Sequence, residues 1–138
     1  MLLDDIADYL SSGGIGTVGG ASGTIFKGLM PDSPDACVAI YETGGFQPVH
    51  TMNPSAGQAV CEQPSIQIMC RAGQYDYVLA RNKAHSIFKL VDGLPSRFIN
   101  GVEYMWGQAR HSPRIMGRDP QGRVMIVCNY DIYKAMTP

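Results

Sequence analysis

The stretch Arg123-Val124-Met125-Ile126-Val127-Cys128-Asn129-Tyr130-Asp131-Ile132-Tyr133 alternates along its whole length. Val124, Ile126, Cys128, Tyr130 and Ile132 fall on one side, and Met125, Val127, Asn129, Asp131 and Tyr133 on the other. A period of two over this length is the pattern of a long strand with one face on a core. The first set reads as that core face. Immediately upstream, Asp119-Pro120-Gln121-Gly122 has proline second and glycine fourth, as type I turns prefer.

Further back the chain again reads as extended. Ser112 to Gly117 is one such segment. Arg97-Phe98-Ile99 and Val102-Glu103-Tyr104-Met105-Trp106 flank Asn100-Gly101, a strong two-residue hairpin signal. Alternation places Trp106 in the core. Before this lies the main helix, Tyr75 to Asp92, with Tyr77, Ala80, Ala84, Ile87, Phe88 and Val91 on one face and Gly93 and Pro95 closing it. Ile66, Ile68 and Cys70 alternate with Gln67, Met69 and Arg71 in a strand over Pro64 to Ala72. Thr24 to Leu29 and Cys37 to Thr43 read as two more strands, separated by a proline-rich turn at Pro31-Asp32-Ser33-Pro34-Asp35. Leu3, Ile6, Ala7 and Leu10 make an apolar stripe on a first helix, Leu2 to Ser12, which Gly13 and Gly14 stop.

The order predicts an α+β fold: a mostly antiparallel or mixed sheet of five to six strands with two helices packed on one face. The length, 138 residues, suits a single domain over 1–138. Residues 44–63 show no period and form a long connection for so compact a unit, so they are expected to contact another chain.

Composition narrows function. Charged residues are 17% of the chain, below a typical ~25%, which leaves uncharged surface for burial against neighbours. The net charge of −1 lacks the basic excess that drives sequence-independent DNA binding. No run approaches the ~20 apolar residues of a membrane span, and acids stand where an export signal needs positive charge, so a soluble, non-exported protein is expected.

Chemistry-bearing patterns are weak. Gly14 to Gly19 fits G-x-G-x-x-G but follows a helix and leads into a strand, the reverse of a dinucleotide site. Cys37, Cys61, Cys70 and Cys128 form no C-x-x-C pair and read as reduced, structural residues. His85 has no partner at zinc spacing, and His50 with Cys61 lacks an orienting acid. No cofactor, metal or catalytic residue is assigned, and the chain reads as a non-enzyme, with a small ligand-binding domain or enzyme the lesser alternative. Arg118, Asp119 and Arg123 flank a turn, where a local surface ion pair is the simpler reading and partner contact the sharper one.

Several segments together resemble one family. They are Leu2-Leu3-Asp4-Asp5-Ile6-Ala7-Asp8-Tyr9-Leu10, Pro31 to Asp35 followed by Val38 to Gly45, Ile99 to Tyr104, Ser112-Pro113, Gly117-Arg118-Asp119 and Gly122-Arg123. In this order the chain is similar to the tail-terminator and minor capsid proteins of long-tailed bacteriophages. The resemblance implies a structural virion protein of the neck, assembled in the host cytoplasm. It implies self-association into a ring, hexameric in many such proteins, that caps the tail tube protein and meets a head completion or stopper protein. Contact with DNA in the lumen would be passive. A head-completion or minor capsid subunit on the portal is the alternative. Phe46, Val49, His50, Met52, Arg118, Asp119 and Arg123 are the expected partner-contact residues. Residues 13–23 and 46–63 are expected to exchange amide hydrogens more slowly in the assembled particle than in the free subunit; equal protection in both forms would refute this.

Overall fold

The computed structural model describes residues 2–18, 23–49 and 61–135, with the backbone alone at 48 and 49. The elements are α1 (Leu2–Ser12), β1 (Ile25–Lys27), β2 (Cys37–Val49), β3 (Cys61–Ala72), α2 (Tyr77–Val91), β4 (Arg97–Ile99), β5 (Val102–Ala109), β6 (Arg114–Arg118) and β7 (Val124–Ala135). The strands form one mixed sheet in the order β1-β2-β3-β7-β5-β4. Among the described strands β1–β2 is the parallel pair, and Val18 adds an isolated parallel bridge to Ile25. The seventh strand, β6, also pairs with β7. It lies against Val124–Val127, while β5 lies against Tyr130–Lys134. Thus β5 and β6 are two lengths of one interrupted neighbour, and the sheet is six strands wide although it holds seven. Among the described residues no helix is long and apolar enough to cross a membrane.

The alternating stretch is the strand that the others flank. Along its whole length β7 is bonded to β3, from Cys61↔Ala135 to Ala72↔Val124. Val124, Ile126, Cys128, Tyr130 and Ile132 are all buried in the core cluster, as their period requires. The same cluster takes Leu3, Ile6, Ala7 and Leu10 of α1 and Ala80, Ala84, Ile87 and Val91 of α2. Both helices therefore contribute to a single core. The Asn100-Gly101 turn has φ of 50° and 80°, both positive, as a type I′ hairpin needs.

Three expectations change. Trp106 is 40% exposed and stacks on Tyr133, with ring centroids 5.6 Å apart. The cause is a bulge: the register passes from Tyr104↔Lys134 to Trp106↔Tyr133, so one extra residue on β5 turns Trp106 away from the core and Gly107 into it. Tyr77 is likewise exposed, because α2 begins only there and its first turn overhangs the core. The connection expected over 44–63 is strand at both ends: β2 runs on to Val49 and β3 starts at Cys61, with register shifts at Glu42/Gly45 and Phe46/Val49. These irregularities hide the period. Residues 50–60 lie outside the described residues, as do 19–22.

A buried carboxylate ties α1 to the β4–β5 hairpin. Asp5 accepts hydrogen bonds from the Tyr104 hydroxyl at 2.5 Å and the Asn100 amide at 2.9 Å. Burial first, then this carboxylate, pushes the Tyr104 phenol well above its usual range. Replacing Ile87 by alanine should lower unfolding free energy by about 2–5 kcal/mol. Trp106→Ala, removing an exposed stack, should cost only about 1–1.5 kcal/mol. Urea denaturation of both variants checks the inversion of the sequence-based expectation for Trp106.

Candidate functional site

Because β1 and β2 are parallel, residues 28–36 must carry the chain back the length of the strand. Parallel strands usually need a dozen or more residues for this, often a helix. Here the return is short and holds two prolines, Pro31 and Pro34, the latter after a cis peptide bond. Its carbonyls find no strand ladder, so donors must come from elsewhere.

Two buried arginines supply them. Arg71, at the end of β3, donates to the carbonyls of Asp35 at 3.0 Å, Pro31 at 2.5 Å and Pro34 at 2.7 Å. Arg123, just before β7, donates to the carbonyl of Asp32 and to the Asp35 carboxylate at 3.2 Å. Its Nε donates to Asp119 Oδ2 at 2.7 Å. The Asp119 carboxylate also accepts the backbone N–H of Gln121 at 3.0 Å and of Arg123 at 2.8 Å. Burial pushes the Asp119 carboxyl up, but the hydrogen bonds and charge of Arg123 and the Gln121 N–H outweigh it and hold the group below its usual range. Arg118 donates to the carbonyls of Gln74 and Gly122, each at 2.7 Å, fixing the same turn to the chain before α2.

The expected local ion pair forms between Arg123 and Asp119, but it is neither at the surface nor confined to the turn. The three do come together, but Arg123 is only 5% exposed, and its partners Asp32 and Asp35 lie 91 and 88 positions away. Arg71 was missed, since alternation alone marks it as solvent-facing. The available signal was a proline-rich segment whose carbonyls lack partners. Beside this clamp, on the side of the sheet away from the core cluster, lies an open hollow of about 370 Å³. Met30, Met69, Met116 and Met125 form much of its lining, and Asp32 and Asp119 also border it.

Of the other expected contact residues, Phe46 and Val49 sit at the far end of the sheet. Phe46 is exposed, with the Arg110 guanidinium 5.5 Å from its ring centroid. Arg110 also pairs with Asp131 at 2.8 Å and donates to Ser65 Oγ at 2.9 Å. The Val49 backbone pairs with Cys61. His50 and Met52 lie outside the described residues. Phe46 pairs with Gln63, and the clamp adjoins Ala72, nine residues along β3. At the rise of an extended chain the two groups are about 30 Å apart.

Among the described residues, reactive groups do not converge on either end. Among the described residues no group of three or more His, Cys, Asp or Glu is arranged to hold a metal ion. All four cysteines are buried and free. Burial pushes the Cys70 thiol up to about 12 and raises Cys37 and Cys128 as well, so these thiols stay protonated.

The family described as "Bacteriophage tail terminator protein" matches residues 9–134. No curated protein matches the chain. Among solved structures, one protein with no function in its name superposes with a TM-score of 0.51 at 13% identity, covering 99% of this chain and 92% of that one. At that identity the likeness concerns the fold alone.

Asp119 gives the clamp a pH dependence. Its folded pKa lies below its ordinary value near 3.8, so its contribution is complete above that value and disappears as pH falls through the folded one. Asp119→Asn should lower Tm at pH 7, and the gap to the natural chain should shrink steadily as pH drops below about 4. A constant gap across that range would show that the carboxylate does not secure the turn.

Proposed function

The chain belongs to the bacteriophage tail terminator family, and we propose that it is the subunit of a closed ring, hexameric by expectation, that caps the tail tube and joins the tail to a head completion protein. The family match, spanning residues 9–134, carries the reading. In this reading the subunit is a structural component of the virion, assembled in the host cytoplasm, and it offers surfaces instead of chemistry. DNA passes through the lumen with passive contact only.

The geometry supports such a role. In the proposed arrangement both helices cover the core side of the sheet and leave the other side to partners. Apolar side chains stand exposed at both ends of the subunit. Tyr75, 92% exposed, and Val78 overhang the clamp end, and Phe46 stands at the other. The clamp end is preorganised, because its loop is held by the two arginines before any partner arrives. Preorganisation of this kind lowers the ordering cost of association. A ring requires unlike surfaces on each subunit, related by a rotation that closes. Two chemically different ends meet the first of these conditions.

Electron microscopy of the purified protein, alone and with tail tubes, should show closed rings of tube diameter. Phe46→Asp changes an exposed residue and should leave folding intact. It should weaken assembly by about 30-fold, the effect of losing one interface hot spot of 2 kcal/mol. A chain that stays monomeric at high concentration and on tubes would overturn the reading.

A further inference from the structure

Asn100-Gly101 is the chain's one Asn-Gly dipeptide. It forms the tip of the β4–β5 hairpin, with Asn100 exposed and at a φ of 50°. Asparagine is a chemically labile side chain, and a glycine after it leaves the attacking backbone nitrogen unshielded. Here the amide also has a structural duty. Its Nδ2 donates to Asp5 Oδ1 at 2.9 Å and to Asp8 Oδ2 at 2.8 Å. An amide nitrogen has two hydrogens, and both are spent on carboxylates of α1. Asp5 is 2% exposed, whereas Asp8 faces solvent. One neutral group thus bridges two acids and ties the first helix to the hairpin.

We infer that Asn100 is a deamidation site, and that the charge gained there unlatches α1. The Gly101 nitrogen forms a bond to Asn100 Cγ and gives up its proton. The Cγ–Nδ2 bond breaks, and that proton leaves with the nitrogen as ammonia. Water then opens the five-membered imide at either carbonyl, leaving aspartate or isoaspartate at position 100. The net change consumes one water, releases one ammonia and replaces a donor by an anionic acceptor. Three carboxylates then meet where one amide bridged two, and the new one has no hydrogen to offer Asp5 or Asp8. Like charges this close repel. Isoaspartate also adds a carbon to the main chain of the two-residue turn that sets the Ile99↔Val102 register. The hairpin carries Phe98, 72% exposed at the sheet margin, so the latch governs where that side chain points. The folded protein slows the reaction, because both bonds must break before Nδ2 can leave. Deamidation then proceeds from a locally opened state.

Peptide mass spectrometry on the natural chain, incubated at mildly alkaline pH, tests this. The peptide holding Asn100 should gain about 1 Da, and faster in strong urea than in the folded state. Asp8→Ala leaves the buried Asp5 in place. This variant, still folded, should deamidate roughly 3- to 10-fold faster than the natural chain, the factor one hydrogen bond is worth. Asn100→Asp should melt at least about 3 °C below Asn100→Gly and exchange the amides of α1 faster. Glycine suits this turn and brings no charge, so it separates the repulsion from the loss of the amide. No mass gain at Asn100 even in urea would overturn the site. Equal rates in urea and in the fold, or in Asp8→Ala and the natural chain, would overturn the protection by α1. Asn100→Asp melting at or above Asn100→Gly would overturn the unlatching.

Discussion

The carbonyl oxygens of Pro31, Asp32, Pro34 and Asp35 need donors, and Arg71 at the end of β3 and Arg123 just before β7 bring them. This requirement follows from topology. A parallel β1–β2 pair with a short return leaves a stretch of backbone that no ladder can satisfy. A buried guanidinium suits the task because it presents several donors in a fixed fork. The arginines are themselves acceptable in the interior because each of these bonds is charge-assisted. The clamp thus joins the return loop, the end of β3, the start of β7 and the 119–123 turn into one rigid corner. The hollow beside it exists because those parts are held there.

The other end of the sheet is organised by a different device. Asp5 is buried in α1 and gathers Tyr104 and Asn100 around its carboxylate, so the first helix is locked to the hairpin nearly a hundred residues later. The bulge that follows Tyr104 sends Trp106 out to stack on Tyr133. Polar burial fixes one side of the hairpin and a single extra residue decides what the other side displays. Both features lie near β4, so the orientation of Phe98 depends on them.

Exposed apolar side chains and preorganised loops therefore sit where the backbone departs from ideal form: a bulge, an edge strand, a proline-rich return. Rigid elements hold these departures in place, which is how a scaffold positions irregular segments with precision. The family's role in the phage tail asks for this economy, since a structural subunit must present several distinct faces on a small core.

Much of this was legible from residue order. The period-two runs at 66–70 and 123–133 and the three- and four-residue spacing in both helices located most of the core, because burial on one face leaves a periodic trace. The hairpin at Asn100-Gly101 was readable from two residues that tolerate positive φ. The partners of Arg71 and Arg123, the outward turn of Trp106 and the continuation of β2 to Val49 were not. Each depends on register or on groups tens of residues away, and a local pattern carries no information about which distant carbonyl lacks a donor. The sequence determined most of the side chains that form the core; the tertiary structure alone decided that Trp106 and Tyr77 stand exposed and Arg71 is buried, because pairing register and element ends place residues beside partners that no local pattern names.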